Sequence, residues 1–558
     1  MAYQGGEAAN YYSPPHGGGG GPQYPPPNNS YEMQQPQNGY YNRPPPPPPP
    51  PPAGGGGYSN VPMNDGGYHN GYGAPPPPPP PTGPDGKMGP PPSYDEVFAV
   101  QKPKWNDLWA GVLFLATCAG FVAVSAISIQ GYAATRNINS GGLNGQRNRF
   151  GLTTHTIWLF GWVLITAIVL SYGYMWVARK FTKQFIWITG ILNVVLGFAT
   201  ALYMLSRKYY SGGIVFLIFA IFQLICFISW RSRIPFSVLM LQTAIDVAKN
   251  FGHVYLVSAI GGLLATLFAA WFSVTLVSVY VKYQPDPNNP ACRQGAGGCS
   301  SGKVIGLIAF ITFAAYWISE WLKNTIHTTI AGVYGSWYFN SRNFPTGVTR
   351  GALKRCLTYS FGSISLGSLV VAIINFLRQL ASVARAQASS DGDILGMILW
   401  CIVGCLIGLL DWAVQFLNRY AFAHIALYGK AYVPAAKDTW KMIKDRGIDA
   451  LVNECLIGPV LGMGAMFVGY ATALMAYCYM VFTNPSYNSG GGFTPVVVAF
   501  AFLIGLQICN VFTTPLSSGI DTIFVASAWD PEVMIRDHPD LYHRMVAVYP
   551  EVQQAIHA

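Results

Sequence analysis

ILGMILWCIVGCLIGLLDWAVQFL occupies residues 394–417 and contains one charged side chain, Asp411. Coiled as a helix at 1.5 Å per residue, the run is about 36 Å long, enough to cross the ~30 Å of bilayer hydrocarbon. Comparable apolar runs lie near 108-130, 156-177, 185-205, 213-230, 254-281, 304-322, 361-380, 455-482 and 494-516. Lipid offers no partners to backbone N–H and C=O groups, and these runs lack the period-two alternation of barrel strands, so they read as helices. The sequence predicts an all-α polytopic membrane protein with about ten transmembrane helices.

Composition agrees. The 558 residues are 51% hydrophobic and only 10% charged, against roughly 25% charged in an average soluble domain. Of the 42 prolines, 29 lie at or before Pro103, in a segment that alternates glycine runs with polyproline. Such a stretch buries too little apolar surface to offset its ordering entropy. Residues 1-103 therefore read as a disordered cytosolic Pro/Gly-rich tail, 104-530 as the ten-span membrane domain and 531-558 as a cytosolic C-terminal segment. No basic region followed by an apolar one opens the chain, so the run at 108 is expected to act as an internal signal-anchor.

The net charge of +10 does not indicate nucleic acid, because the basic residues sit in short loops between apolar runs and form no continuous stripe. They set topology instead. With the tail inside, the internal loops carry 17 Lys and Arg against 10 outside, including the Lys-rich 430-446 segment, which places both termini in the cytosol. Segments 236-250 and 431-448 are too polar to cross and are expected along the inner interface. Loop 282-303 then falls on the oxidising side, where Cys292 and Cys299 could close a small disulfide ring; two free thiols in a Gly-rich turn are the alternative.

Ionisable residues within spans are costly and mark candidate sites. In YWISEWLKNTIHTTI (316–330), Tyr316, Glu320 and Asn324 recur every four residues with His327 three further on, and Trp317 and Trp321 flank them. An aromatic wall beside one carboxylate is the chemistry that holds an organic ammonium. The alternative is an interfacial Trp belt with Glu320 paired to Lys323. Asp411 leads a second stripe with Gln415 and Asn418, or else is a structural partner for Arg419. Gln507 and Asn510, with Thr514, form a third, whose alternative is interhelical hydrogen bonding. Pro459, between Gly458 and Gly462, is expected to loosen its span. Substrate-binding candidates are thus Tyr316, Trp317, Glu320, Trp321, Asn324, Asp411, Gln507 and Asn510. No Walker A loop, HExxH, GxSxG or dinucleotide fingerprint occurs, so no enzyme, cofactor or metal site is expected.

Pro91, Pro92 and Tyr94 form a PPxY outside the homopolymer blocks, the shape read by WW domains, for example of a ubiquitin ligase. Coincidence in a Pro- and Tyr-rich tail is the alternative.

The blocks HIALYGKAYVPAAK (424–437), DTIFVASAWDP (521–531) and NTIHTTIAG (324–332) resemble the choline transporter-like family. The tail, the short first external loop and PPSYDEVF resemble its fungal "pH nine-sensitive" branch. The resemblance implies a ten-span plasma-membrane transporter with cytosolic termini and, as for animal members, uptake of choline or ethanolamine. A small organic cation or amino alcohol is the expected substrate, moved by facilitated or ion-coupled transport; a non-transporting scaffold acting through the tail is the rival reading.

Two outcomes follow. Reporter fusions after Lys104 and Ala558 should be cytosolic and one within 282-303 external; an external C-terminus removes the ten-span topology. Tyr94→Ala should slow removal of the protein from the cell surface, and an unchanged half-life would leave the PPxY as coincidence.

Overall fold

The computed structural model describes residues 104–135, 154–206, 208, 210–251, 253–283, 300–340, 346–446, 457–483 and 494–550. The PPxY motif, Cys292 and Cys299 lie outside them. The described residues contain no β-strand and form fifteen α-helices: α1 (Leu108–Thr135), α2 (Thr154–Lys180), α3 (Thr182–Ser206), α4 (Tyr210–Trp230), α5 (Ile234–Asn250), α6 (His253–Tyr283), α7 (Ser301–Phe339), α8 (Val348–Leu357), α9 (Phe361–Ser390), α10 (Ile394–Tyr428), α11 (Tyr432–Arg446), α12 (Ile457–Thr483), α13 (Thr494–Trp529), α14 (Pro531–Asp537) and α15 (Pro539–Val548). Among them, nine are long and apolar enough to cross a membrane, or ten if the pair 220–229 and 231–250, bent by 49°, counts as one span. The protein is a multi-pass helical membrane protein.

Three helices are far longer than their apolar runs. α7, α10 and α13 have 39, 35 and 36 residues, or about 52–58 Å each, nearly twice the hydrocarbon thickness. Their far ends change neighbours rather than structure. The first part of α10 exposes Leu395, Ile398 and Leu406 as a lipid-facing surface does, whereas 420–428 is buried throughout. Residues 328–336 of α7 and 520–528 of α13 are buried likewise. These ends converge at the side of the bundle bearing the Lys-rich loops, here termed the basic end. There Ile330, Val333, Tyr334, Leu427, Ile523 and Phe524 share one core with Leu239 and Met240 of α5, Met534 of α14 and Leu541 of α15.

One sequence expectation changes as a result. The helix over 236-250 is not an interfacial strip: most of its faces are inside this core, and only polar positions such as Asp246 and Lys249 are exposed. The described part of the C-terminal segment joins the same core, where Met534 and Met545 are fully buried.

Close contacts set the helix positions. Gly519 of α13 lies against the ring of Tyr334, where any Cβ would collide, and the Tyr334 hydroxyl donates to Ala244 O of α5 at 2.8 Å. At the start of α1, the Asp107 carboxylate accepts from Ser363 Oγ (2.7 Å) and from the Tyr432 N–H (2.8 Å), while Asn106 Nδ2 donates to Gly429 O at 2.7 Å. Gly362 lets the two backbones touch there, because a Cβ would strike the carbonyls of Asn106 and Asp107. One residue pair therefore ties α1 to the start of α9 and to the turn between α10 and α11.

Pro459 sits in the first turn of α12, where a missing N–H costs nothing. The interior proline is Pro515 of α13. It cannot donate to Val511 O four residues back, and Ser258 Oγ of α6 donates to that carbonyl instead, at 2.6 Å. Ser258→Ala should therefore lower stability by about 1–3 kcal/mol, the cost of a buried polar group left without a partner. Pro515→Ala restores the missing N–H and should largely cancel that loss in the double variant. Thermal melts of the purified proteins measure both, and additive effects of the two substitutions would refute the assignment.

Candidate functional site

Directly above the basic-end core, α7, α9, α10 and α13 line a half-open cavity of about 650 Å³. The stripe expected on α7 supplies Glu320, Asn324 and His327, and the stripe expected on α10 supplies Asp411, Gln415 and Asn418, so the two face one another across it. Gly408 adds a position without a side chain, and Trp412 and Phe416, stacked at 5.9 Å, form an aromatic wall on α10.

Charge is balanced around the cavity. Lys323 Nζ lies 2.9 Å from Glu320 Oε2, Arg378 Nη1 lies 3.2 Å from Asp411 Oδ2, and Arg419 Nε lies 3.5 Å from Asp521 Oδ2. The acidic side chains are 15% exposed or less, whereas Lys323 and Arg378 are each 57% exposed. Those two bases sit at the rim, and the third pair sits deep. Gln415 Nε2 donates to the second oxygen of Asp411 at 2.8 Å, which holds that carboxylate still.

The floor is polar and then closed. His327 Nε2 is 2.8 Å from Arg419 O, an atom that only accepts, so this nitrogen carries a proton; Nδ1 is 2.9 Å from Ser518 Oγ. Just beyond them, Ile330, Tyr420 and Ile523 are buried in the basic-end core. Asn324 donates to Ser368 Oγ at 2.9 Å and Asn418 to Gly367 O at 3.2 Å, so both amides bind α7 and α10 to α9. Tyr432 of α11 donates its hydroxyl to Asn418 Oδ1. Burial pushes that hydroxyl up to about 12, which keeps it a donor.

Of the eight residues singled out in the sequence, the structure brings Glu320, Asn324 and Asp411 together at the cavity. Trp317 and Trp321 point elsewhere, because they lie about 60–100° around α7 from Glu320. Trp317 is buried, donates Nε1–H to Ser365 O at 3.0 Å and packs edge-on to Phe114, and Trp321 stacks on the same Phe114 at 5.0 Å. Tyr316 faces Gln379 of α9. Gln507 is exposed, and Asn510 sits a turn above Thr514, which does line the cavity. Asp411 pairs with Arg378 and not with Arg419. Sequence reasoning missed Arg378, Trp412, Arg419, Ser518 and Asp521 as lining residues. Arg378, at the edge of an apolar run, carried the signal that could have found it; Asp521 lay beyond the expected end of its span.

These features define a multi-pass helical membrane protein with a charged cavity at the meeting point of four helices. Residues 214–532 match the family described as plasma-membrane choline transporters. The chain is also 74% identical over 494 residues to Protein PNS1 of Neurospora crassa (88% of this chain, 89% of the relative). It is 58% identical over 479 residues to the Aspergillus fumigatus protein pns1 (84% and 89%) and 41% identical over 468 residues to Protein PNS1 of Saccharomyces cerevisiae (82% and 87%). The chain belongs to the choline transporter-like family, in its fungal branch.

Proposed function

We propose that the protein is a plasma-membrane transporter that moves a small organic cation or amino alcohol through this cavity, by facilitated diffusion or coupled to an ion gradient, with both termini in the cytosol. The observation that carries the reading is the set of acid–base pairs around a cavity closed toward the basic end, within the segment that matches the family. A cation reaching Glu320 meets a carboxylate already neutralised by Lys323. It binds by displacing that mobile, largely exposed ammonium, while the Trp412 and Phe416 rings supply the cation–π surface. Release to the cytosol requires the deeper Arg419–Asp521 pair to part. Pro515, just above Ser518 on α13, marks where that helix bends most easily. The PPxY in the tail fits a role in setting how much protein stays at the surface, through a WW-domain ubiquitin ligase.

Uptake of labelled choline and ethanolamine by the purified protein in liposomes tests the function, and absence of uptake would favour the scaffold reading. The same assay separates the pair at the rim. Glu320→Gln should reduce cation uptake sharply, whereas Lys323→Met removes a competing charge and should lower the apparent KM for a cation by up to about fivefold, the range of an exposed ion pair. Trp412→Leu should weaken binding by about 0.5–2 kcal/mol. If Glu320 and Lys323 only support folding, both substitutions will reduce the amount of folded protein and leave KM unchanged.

A further inference from the structure

Two short helices, α8 and α11, lie against the same cluster at the start of α9 and the end of α10, where Cys356, Ile364, Phe422, Ile425, Tyr432 and Ala435 meet. Each turns a different face outward. On α11, Ala435, Thr439 and Met442 are buried, and Val433, Lys437, Trp440, Lys441 and Lys444 are exposed, the latter five within about 100° of arc. On α8, Arg350, Lys354 and Leu357 share the exposed face at spacings of four and three. Lys437, Lys441 and Lys444 have no carboxylate partner among the described residues. Bare ammonium groups mixed with apolar side chains, Trp440 being 57% exposed, suit a surface that is greasy and negatively charged at once.

The location fits such a surface. The N–H of Tyr432, the first residue of α11, is bonded to Asp107, which directly precedes the apolar run of α1. Trp105 and Trp109, at that same point, are exposed as interfacial tryptophans are. α11 thus begins at the level where α1 leaves the hydrocarbon.

We propose that the outer faces of α8 and α11 form a docking surface for anionic phospholipid headgroups of the cytosolic leaflet, with Lys437, Lys441 and Lys444 reading the charge and Trp440 and Val433 inserted at the acyl boundary. The other face of α11 carries Tyr432, bonded to Asn418 at the cavity, so one helix is shared by the lipid surface and the candidate site. The inference rests on the basic end being cytosolic and is independent of what the cavity carries.

The test uses the full-length protein reconstituted in nanodiscs of phosphatidylcholine alone or with about a quarter phosphatidylserine, followed by native mass spectrometry of retained lipid. The wild type should retain phosphatidylserine preferentially. Lys437→Gln, Lys441→Gln and Lys444→Gln combined should cut that preference by roughly tenfold or more, and the three Lys→Arg replacements should keep it. An equal preference in the wild type and the folded Gln variant overturns the proposal. So does a change of oligomeric state with lipid retention intact, which would make the face a contact between copies. If the triple Gln variant does not fold, Lys441→Gln alone gives the same readout at up to about fivefold.

Discussion

The Tyr334 ring seats against Gly519, and its hydroxyl continues to a backbone carbonyl of α5. This contact fixes the separation of α7 and α13 below the cavity, and His327 and Ser518 bond to each other just above it. The third long helix is locked to the same point through Arg419, whose carbonyl meets His327 and whose side chain meets Asp521. Cavity width at its floor is thus determined by the packed core of the basic end.

The two halves of the long helices are stabilised by different forces. Within the bilayer, lipid tails are as apolar as leucine, and association depends on close packing and interhelical hydrogen bonds. Ser258 on Val511 O and Trp317 on Ser365 O are bonds of that kind. Where helices of about 52–58 Å outrun the ~30 Å of hydrocarbon, water becomes the competing solvent, and burial there contributes about 25 cal/mol per Å² of apolar surface. Phe236, Tyr334, Tyr338, Tyr428 and Phe524 fill that core, each almost fully buried.

Charge follows the same division. Rim pairs with a basic side chain more than half exposed are worth little and exchange readily, since water screens them. The Arg419–Asp521 pair is deeper, and parting it leaves a carboxylate that is 7% exposed without a partner. Rim carboxylates are therefore suited to a passing cation, and the inner pair to keeping the floor shut.

Much was legible in the sequence. Apolar runs long enough to span and the stripes Glu320–Asn324–His327 and Asp411–Gln415–Asn418 follow from hydropathy and helical period, which are local properties. What hydropathy could not show is where a helix passes from lipid into protein. It placed the ends of three helices at 322, 417 and 516, whereas α7, α10 and α13 run on to 339, 428 and 529. The polar residues of NTIHTTIAG and DTIFVASAW are compatible with a protein interior because other helices satisfy Asn324, His327 and Asp521 there, while Thr325, Thr328, Thr329, Thr522 and Ser527 donate to carbonyls of their own helix. The direction of Trp317 and Trp321 was likewise undetermined, since a helix has several apolar neighbours to offer an indole and only packing against Phe114 selects one. Pairing of Asp411 with Arg378, and of Arg419 with Asp521, depends on contacts between residues 33 and 102 positions apart. Sequence supplied the charges and their helical faces; which charge meets which was decided by tertiary structure, because only there do separate helices share a height and an orientation.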